Sequence, residues 1–195
     1  PAHEVVFDVK CSTMVRNTVR NLGGQPTMIR TGSSFLRRHM SRSNGKAVFG
    51  GEYAGHYVFN DGRGFGYDDG LYAALRVLEY LSQQPDLTLS ELLQAYPERS
   101  CTEDIYISTH NEQPIAVLQD IESKSDAFKA QLSKIDGVRL DFTDGFGIIR
   151  ASNTGEYFTV RFDADNPLRL NAIRDTFVSM LRARYPKIAP DILDA

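Results

Sequence analysis

Cysteine is scarce in this 195-residue chain: Cys11 and Cys101 are the only two. Two thiols so far apart in sequence cannot form a disulfide framework or a zinc cluster, so both are expected to be reduced and buried. Long apolar runs are missing as well. Nothing approaches the ~20 residues of a membrane span, no signal-peptide pattern precedes the first strand, and the cytoplasm is the expected location with no membrane partner. A surplus of positive charge is also lacking, since the formal net charge is −3. The cluster Arg37, Arg38, His39 and Arg42 has the spacing of a solvated helix face, and no basic domain or stripe suggests a nucleic-acid partner. Internal repeats and low-complexity segments are absent. What remains is 42% hydrophobic and 24% charged residues, an ordinary soluble globular composition with enough apolar side chains for a core.

The first half alternates. Val5 to Val9 reads as a buried strand, and Ser12 or Thr13 can cap a helix with Met14, Val15, Val19 and Leu22 on its inner side, stopped at Gly23-Gly24. A second strand is expected from Gln25 to Ile29, a basic helix after Thr31-Gly32-Ser33-Ser34, and a third strand at Ala47 to Phe49. This order argues for an α/β domain with a mixed sheet flanked by helices, where ligands collect at the C-terminal strand ends. Lys10, the loop at Thr31 and the loop at Glu52 to His56 all fall at such ends.

The densest chemistry runs from Gly50 to Leu81. Glu52 and His56 sit among Gly50, Gly51 and Gly55, which permit positive φ and close approach of backbone to a ligand. A carboxylate can accept from two neighbouring hydroxyls while a histidine beside it donates or exchanges a proton, so a sugar is the natural partner. Asp68 and Asp69 are expected to accept from the free N–H groups of a helix with Leu71, Leu75, Leu78 and Leu81 on one face. Thr88-Leu-Ser-Glu91 matches a capping box, and Pro97 closes the helix that follows.

The polar segment Glu98 to Asp104 suggests a boundary and a short hinge, dividing the chain into domains 1–98 and 99–195. The second half carries Ile105 and Ile107 in alternation and a helical pattern through Leu118, Ile121, Phe128 and Leu132. Strands follow at Val138 to Phe142, through Phe146 and Ile148, and at Tyr157 to Asp163; then a helix is capped by Asn166 with Pro167 at its first position. Consecutive strands joined by short loops make a smaller α+β domain with an antiparallel sheet. The loop Arg150-Ala-Ser-Asn-Thr-Gly155 has the makings of an anion cradle: an arginine fork, the hydroxyls of Ser152 and Thr154, the Asn153 amide, and a glycine that lets backbone N–H groups turn inward. Together the two loops describe a ligand with hydroxyls at one end and a phosphate at the other, a sugar phosphate.

At this point the chain resembles the α-D-phosphohexomutases, specifically the bacterial phosphomannomutase/phosphoglucomutase branch. The motifs are F-D-V-K-C at Phe7 to Cys11, T-G at Thr31-Gly32, G-E-x-x-G-H at Gly51 to His56, G-Y-D-D-G-L-Y at Gly66 to Tyr72 and R-A-S-N-T at Arg150 to Thr154. The resemblance implies that the chain is the third and fourth of four domains, with the N-terminal domains of the same enzyme as partners. It implies substrate binding by Lys10, Glu52, Gly55 and His56, supporting catalytic roles for His56 and Lys10, and phosphate binding by Arg150, Ser152, Asn153 and Thr154. The reaction implied is interconversion of hexose 1- and 6-phosphates through a hexose 1,6-bisphosphate, with magnesium bound outside this chain. Ser33 stands where the branch often has histidine, and Ala54 where it has serine.

The family's phosphoserine loop, T-x-S-H-N-P, and metal loop, D-x-D-x-D-R, are both missing from the sequence; Asp163-Ala-Asp165 lacks the third aspartate and the arginine. Phosphoryl transfer needs a nucleophile and usually a metal, so the chain alone is expected to be inactive and to hold no metal. Two alternatives stay open: a stand-alone sugar-phosphate-binding module, and a fragment of a phosphoglucosamine mutase.

Overall fold

The computed structural model describes residues 3–152 and 155–193. Within it the chain forms two compact units, Pro1–Pro97 and Glu98–Ala195.

The first unit is built on a four-stranded sheet in the order β2-β1-β3-β4. Strand β1 (Glu4–Asp8) pairs in parallel with both β2 (Gln25–Ile29) and β3 (Ala47–Gly51), and β4 (Tyr57–Phe59) runs antiparallel along β3. Parallel neighbours need crossovers, supplied by α1 (Thr13–Asn21) and α2 (Ser33–Arg42). Ser12, rather than Thr13, caps α1 by accepting from the Met14 N–H. Helix α2 turns Leu36 and Met40 into the core against Val6, Ala47 and Val58, leaving Arg37, Arg38 and Arg42 in solvent. Gly50 is fully strand-paired, and a Cβ there would lie 2.5 Å from Leu36 Cδ1, so its role is clearance for α2. Gly51 is also extended within β3, contrary to the expectation of a turn at both glycines. The edge strand β2 holds Pro26, which has no N–H to donate and is tolerated where one side of the strand is unpaired.

Two apolar patterns are exposed rather than buried. Leu22, expected on the inner side of α1, is 82% exposed. Helix α3 (Gly70–Ser82) also carries no buried residue, and its leucine stripe of Leu71, Leu75 and Leu78 faces outward. The side of α3 that docks is Tyr72 and Arg76, whose ring and guanidinium pack on Phe59 at 5.5 Å and 5.0 Å. A short α4 (Leu89–Gln94) follows with both halves of its capping box formed at Thr88 and Glu91.

The second unit is an antiparallel sheet in the order β5-β10-β9-β8-β7, with β6 also on β10. Strand β10 (Tyr157–Ala164) is its spine. One side pairs along β9 (Gly145–Ala151), and the other is shared between β6 (Ile105–Ser108) and β5 (Ser100–Cys101). Strands β7 (Gln131–Ser133) and β8 (Val138–Asp141) complete the sheet. Helices α5 (Pro114–Lys124), α6 (Pro167–Arg182) and α7 (Ile188–Leu193) cover it. The core is a cluster containing Phe158, Phe162, Phe177, Ile121 and Leu181. Asn166 caps α6 by accepting from the Arg169 N–H, with Pro167 at the first turn.

Several expectations change here. The helical period read through Leu132 breaks at Lys124; Phe128 follows a 3-10 turn and Leu132 sits in β7. Within segment Glu98 to Asp104, the residues from Arg99 to Thr102 are built into the second unit. Its Ser100 and Cys101 pair with β10, the Thr102 N–H donates to the Phe162 carbonyl at 2.9 Å, and Arg99 ion-pairs with Asp163 and Asp165. The acidic pair in Asp163-Ala-Asp165 is thereby committed to Arg99. Cys11 is half-buried and Cys101 exposed; neither is in a disulfide, and the two are not both buried.

At Gly147 the core has no room for a side chain. A Cβ would approach Phe177 to 2.5 Å and the Phe162 ring to 2.9 Å, and the two rings already meet edge-on at 5.5 Å. Gly147→Ala is expected to destabilise the chain by about 1–3 kcal/mol through overpacking, read as a lower urea midpoint at unchanged slope.

Candidate functional site

The C-terminal ends of β1, β2 and β3 lie side by side because the three strands are parallel. Lys10 leaves β1 two residues after its end and is 6% exposed, with Nζ 5.1 Å from the centre of the Tyr53 ring. It is not the solvated side chain that lysines usually are. Glu52, the residue after β3, is 4% exposed, and its Oε1 accepts the Gly32 N–H at 2.6 Å. The Thr31-Gly32 loop after β2 and the glutamate loop after β3 are therefore joined.

The loop from Glu52 to His56 is a tight connection between β3 and β4. The Glu52 N–H donates to the His56 carbonyl and the Gly55 N–H to the Glu52 carbonyl, both at 3.0 Å. Gly55 has φ +87°, a left-handed conformation that closes this turn and that an L side chain resists. Strand β4 has no signature in the sequence, because three residues give too short an alternation to detect.

His56 Nδ1 lies 2.7 Å from Asp68 Oδ2, with the imidazole about half exposed. Asp68 is thus the partner of the histidine, and the cap of α3 is Asp69 alone, accepting from the Tyr72 N–H at 2.9 Å. The expectation that both aspartates cap the helix is corrected accordingly. A carboxylate on one ring nitrogen orients the imidazole and directs its Nε2 away from that contact. The loop between β4 and α3 is braced by Asp61, which accepts from the Gly64 and Arg63 N–H groups and from Arg76. Those donors, the Gly64 N–H foremost, hold its carboxyl down at about 2.

Burial pushes the Glu52 carboxyl above the ordinary range; the Gly32 N–H opposes this and the negative charge of Asp8 adds to it. The rim is therefore a place where a carboxylate is kept poorly solvated, ready for hydrogen-bond donors other than water.

In the second unit, Arg150 is not a loop residue. It lies in β9 opposite Thr159, and its Nε donates to Asp136 Oδ2 at 3.0 Å. Both side chains of this pair are largely buried. Asp136 was not singled out in the sequence; the Asp-Gly turn before β8 was the available signal, since such a turn places an acidic side chain beside the next strand pair. Ser152 closes the start of the following loop: its N–H donates to the Tyr157 carbonyl at 2.9 Å and its Oγ accepts from the Gly155 N–H at 3.1 Å. The Gly155 N–H, expected to face an anion, is thus taken by Ser152. Asn153 and Thr154 lie outside the described residues.

Among the described residues no group of three or more histidine, cysteine or acidic side chains is placed to hold a metal ion. No donor set here fits the magnesium that the resemblance implies. Among the same residues no helix is long and apolar enough to cross a membrane.

Residues 1–100 match the family model of phosphoglucomutase/phosphomannomutase, alpha/beta/alpha domain III. The chain belongs to the phosphoglucomutase/phosphomannomutase family. Among curated relatives it is similar to a phosphomannomutase/phosphoglucomutase of Pseudomonas syringae, 35% identical over 98% of this chain and 40% of that protein. A phosphoglucomutase of Neisseria gonorrhoeae is 34% identical, over 97% of this chain and 41% of its own length. Among solved structures, a phosphoglucomutase/phosphomannomutase family protein from Burkholderia thailandensis superimposes with a TM-score of 0.84 at 31% identity, covering 96% of this chain and 39% of that one. The two units correspond in fold to the third and fourth domains of phosphohexomutases. This chain spans about two fifths of the length of these relatives.

The raised Glu52 carboxyl has a pH signature. A folded-state pKa above the ordinary 4.5 means that ionised Glu52 costs the native state stability at neutral pH, a cost that disappears below the unfolded value. Glu52→Gln, which can still accept from Gly32, is expected to raise the melting temperature at pH 7. The gain should shrink as pH falls and vanish below about 4.5, measured by thermal melts across pH.

Proposed function

We propose that this chain is the substrate-recognition half of a phosphomannomutase/phosphoglucomutase that interconverts hexose 1- and 6-phosphates through a hexose 1,6-bisphosphate. The observation that carries the reading is the buried, braced Glu52 at the parallel-strand rim, beside a histidine oriented by Asp68. Glu52 accepts sugar hydroxyls through Oε2, with Gly55 allowing close approach of the backbone. His56, its Nδ1–H given to Asp68, offers Nε2 as an acceptor to a sugar hydroxyl, and Lys10 supplies positive charge at the same rim. His56 and Lys10 support the chemistry by holding protons and charge, while the nucleophile and the magnesium come from the N-terminal domains of the same polypeptide. In the second unit Arg150, its Nε held by Asp136, binds the phosphate that is not transferred, together with Ser152, Asn153 and Thr154. We place the enzyme in the cytoplasm, on the strength of two cysteines that form no disulfide.

Charge-assisted hydrogen bonds from arginine to phosphate contribute about 1.5–3 kcal/mol each, so Arg150→Ala should weaken glucose 1-phosphate binding by roughly tenfold or more and leave glucose binding nearly unchanged. Titration calorimetry with both ligands checks this, and equal losses would place Arg150 outside the phosphate site. The chain on its own is expected to fold yet show no mutase turnover with glucose 1-phosphate and glucose 1,6-bisphosphate. Turnover by chain purified free of full-length enzyme would overturn the division of labour.

A further inference from the structure

Asp8 ends β1 and is fully buried, yet none of the roles above uses it. A buried carboxylate is costly unless donors surround it, so where its donors come from is informative. They come from three different loops. Oδ2 accepts the Thr31 hydroxyl at 2.8 Å, from the loop after β2. Oδ1 accepts the Tyr53 N–H at 3.1 Å, from the loop after β3, and the Cys11 thiol at 3.1 Å, from the loop after β1.

The neighbouring residues close the pattern. Gly32, next to Thr31, donates its N–H to Glu52, and Glu52 precedes Tyr53. The same two loops are therefore cross-linked twice side by side, once through the Asp8 carboxylate and once through the Glu52 carboxylate. Thr31 and Tyr53 are 23 and 45 residues from Asp8 in the chain, so no local turn could hold these groups together. An apolar residue at the end of β1 would have filled the same space without the desolvation cost.

The geometry points to Asp8 as the positioning residue of the rim: its carboxylate clasps the three strand-end loops in register, so that Glu52 meets Gly32 and is held at the position from which it reads the sugar. The inference rests on the reading of this rim as a sugar-phosphate site. Asp8 touches no reacting atom in that reading, and it acts through Glu52.

The test is amide hydrogen exchange by NMR on the full 195-residue chain, comparing wild type with Asp8→Ala, Asp8→Asn and Thr31→Val. Asp8→Ala is expected to speed exchange at Tyr53 and Gly32 by roughly tenfold or more while the Val6 and Phe7 amides within the sheet change little. Asp8→Asn should rescue Tyr53, whose N–H the amide oxygen still accepts, and Thr31→Val should loosen Gly32 alone. These two milder variants decide the matter if Asp8→Ala does not fold. Uniform acceleration across β1 to β3, or no change at Tyr53 and Gly32, would overturn the clasp. Calorimetry with glucose 1-phosphate adds the functional arm: affinity should fall in Asp8→Ala and recover partly in Asp8→Asn. Undiminished affinity in a variant with loosened loops would overturn the positioning role. A wild-type chain that binds no glucose 1-phosphate would instead count against the sugar-phosphate reading, with the exchange data still deciding the clasp.

Discussion

Parallel pairing of β1 with strands on both sides is the constraint from which the first unit follows. A parallel pair cannot be joined by a tight turn, so each connection must cross the sheet as a helix and return to the same end. Helices α1 and α2 are those crossovers, and the loops at Lys10, Thr31 and Glu52 consequently open on one rim. Only β3 to β4 can use a short hairpin, and there the chain spends a left-handed glycine and places His56 next to the last of the three loops. Residues far apart in sequence become neighbours because of strand direction, with no special motif required.

Much of this was legible from local pattern. Alternation of short apolar runs with capped helical stretches suffices to order β1, α1, β2, α2 and β3, and Asn166-Pro167 or Thr88 with Glu91 mark helix starts by side-chain chemistry alone. Three kinds of feature were not legible. Very short strands such as β4 and β7 carry no period, and an apolar residue like Leu132 is drawn into the preceding helical count. Amphipathic stripes say which residues share a face but not whether anything covers it, and on α3 Tyr72 and Arg76 dock while the leucines do not. Buried charge is the third. Arg139 and Asp141 alternate with Val138 and Leu140 as if facing water, yet all four are buried, with the guanidinium paired to Asp141 at 2.8 Å and lying 3.7 Å from the Phe146 ring.

The candidate site divides along the same line. Glu52, His56 and Arg150 stand out by residue type, but their partners Gly32, Asp68 and Asp136 are assigned only when the strands are assembled. Each of those partners fixes an orientation, and orientation separates a binding group from a solvated one. Asp68, beside a helix start, read as a second cap; the tertiary contact with His56 outweighed that local option.

The edges of both sheets are short or interrupted. In the second unit β10, with eight residues the longest strand, has its whole outer side divided between a four-residue and a two-residue neighbour, and the opposite edge is the three-residue β7. In the first unit one edge is the three-residue β4 and the other carries Pro26 within β2. A strand needs a long, unbroken row of open N–H and C=O groups to recruit another chain. None of these edges offers one, so crowding in solution gives the chain little opportunity to grow by strand addition, and fibrillar self-association is disfavoured by construction.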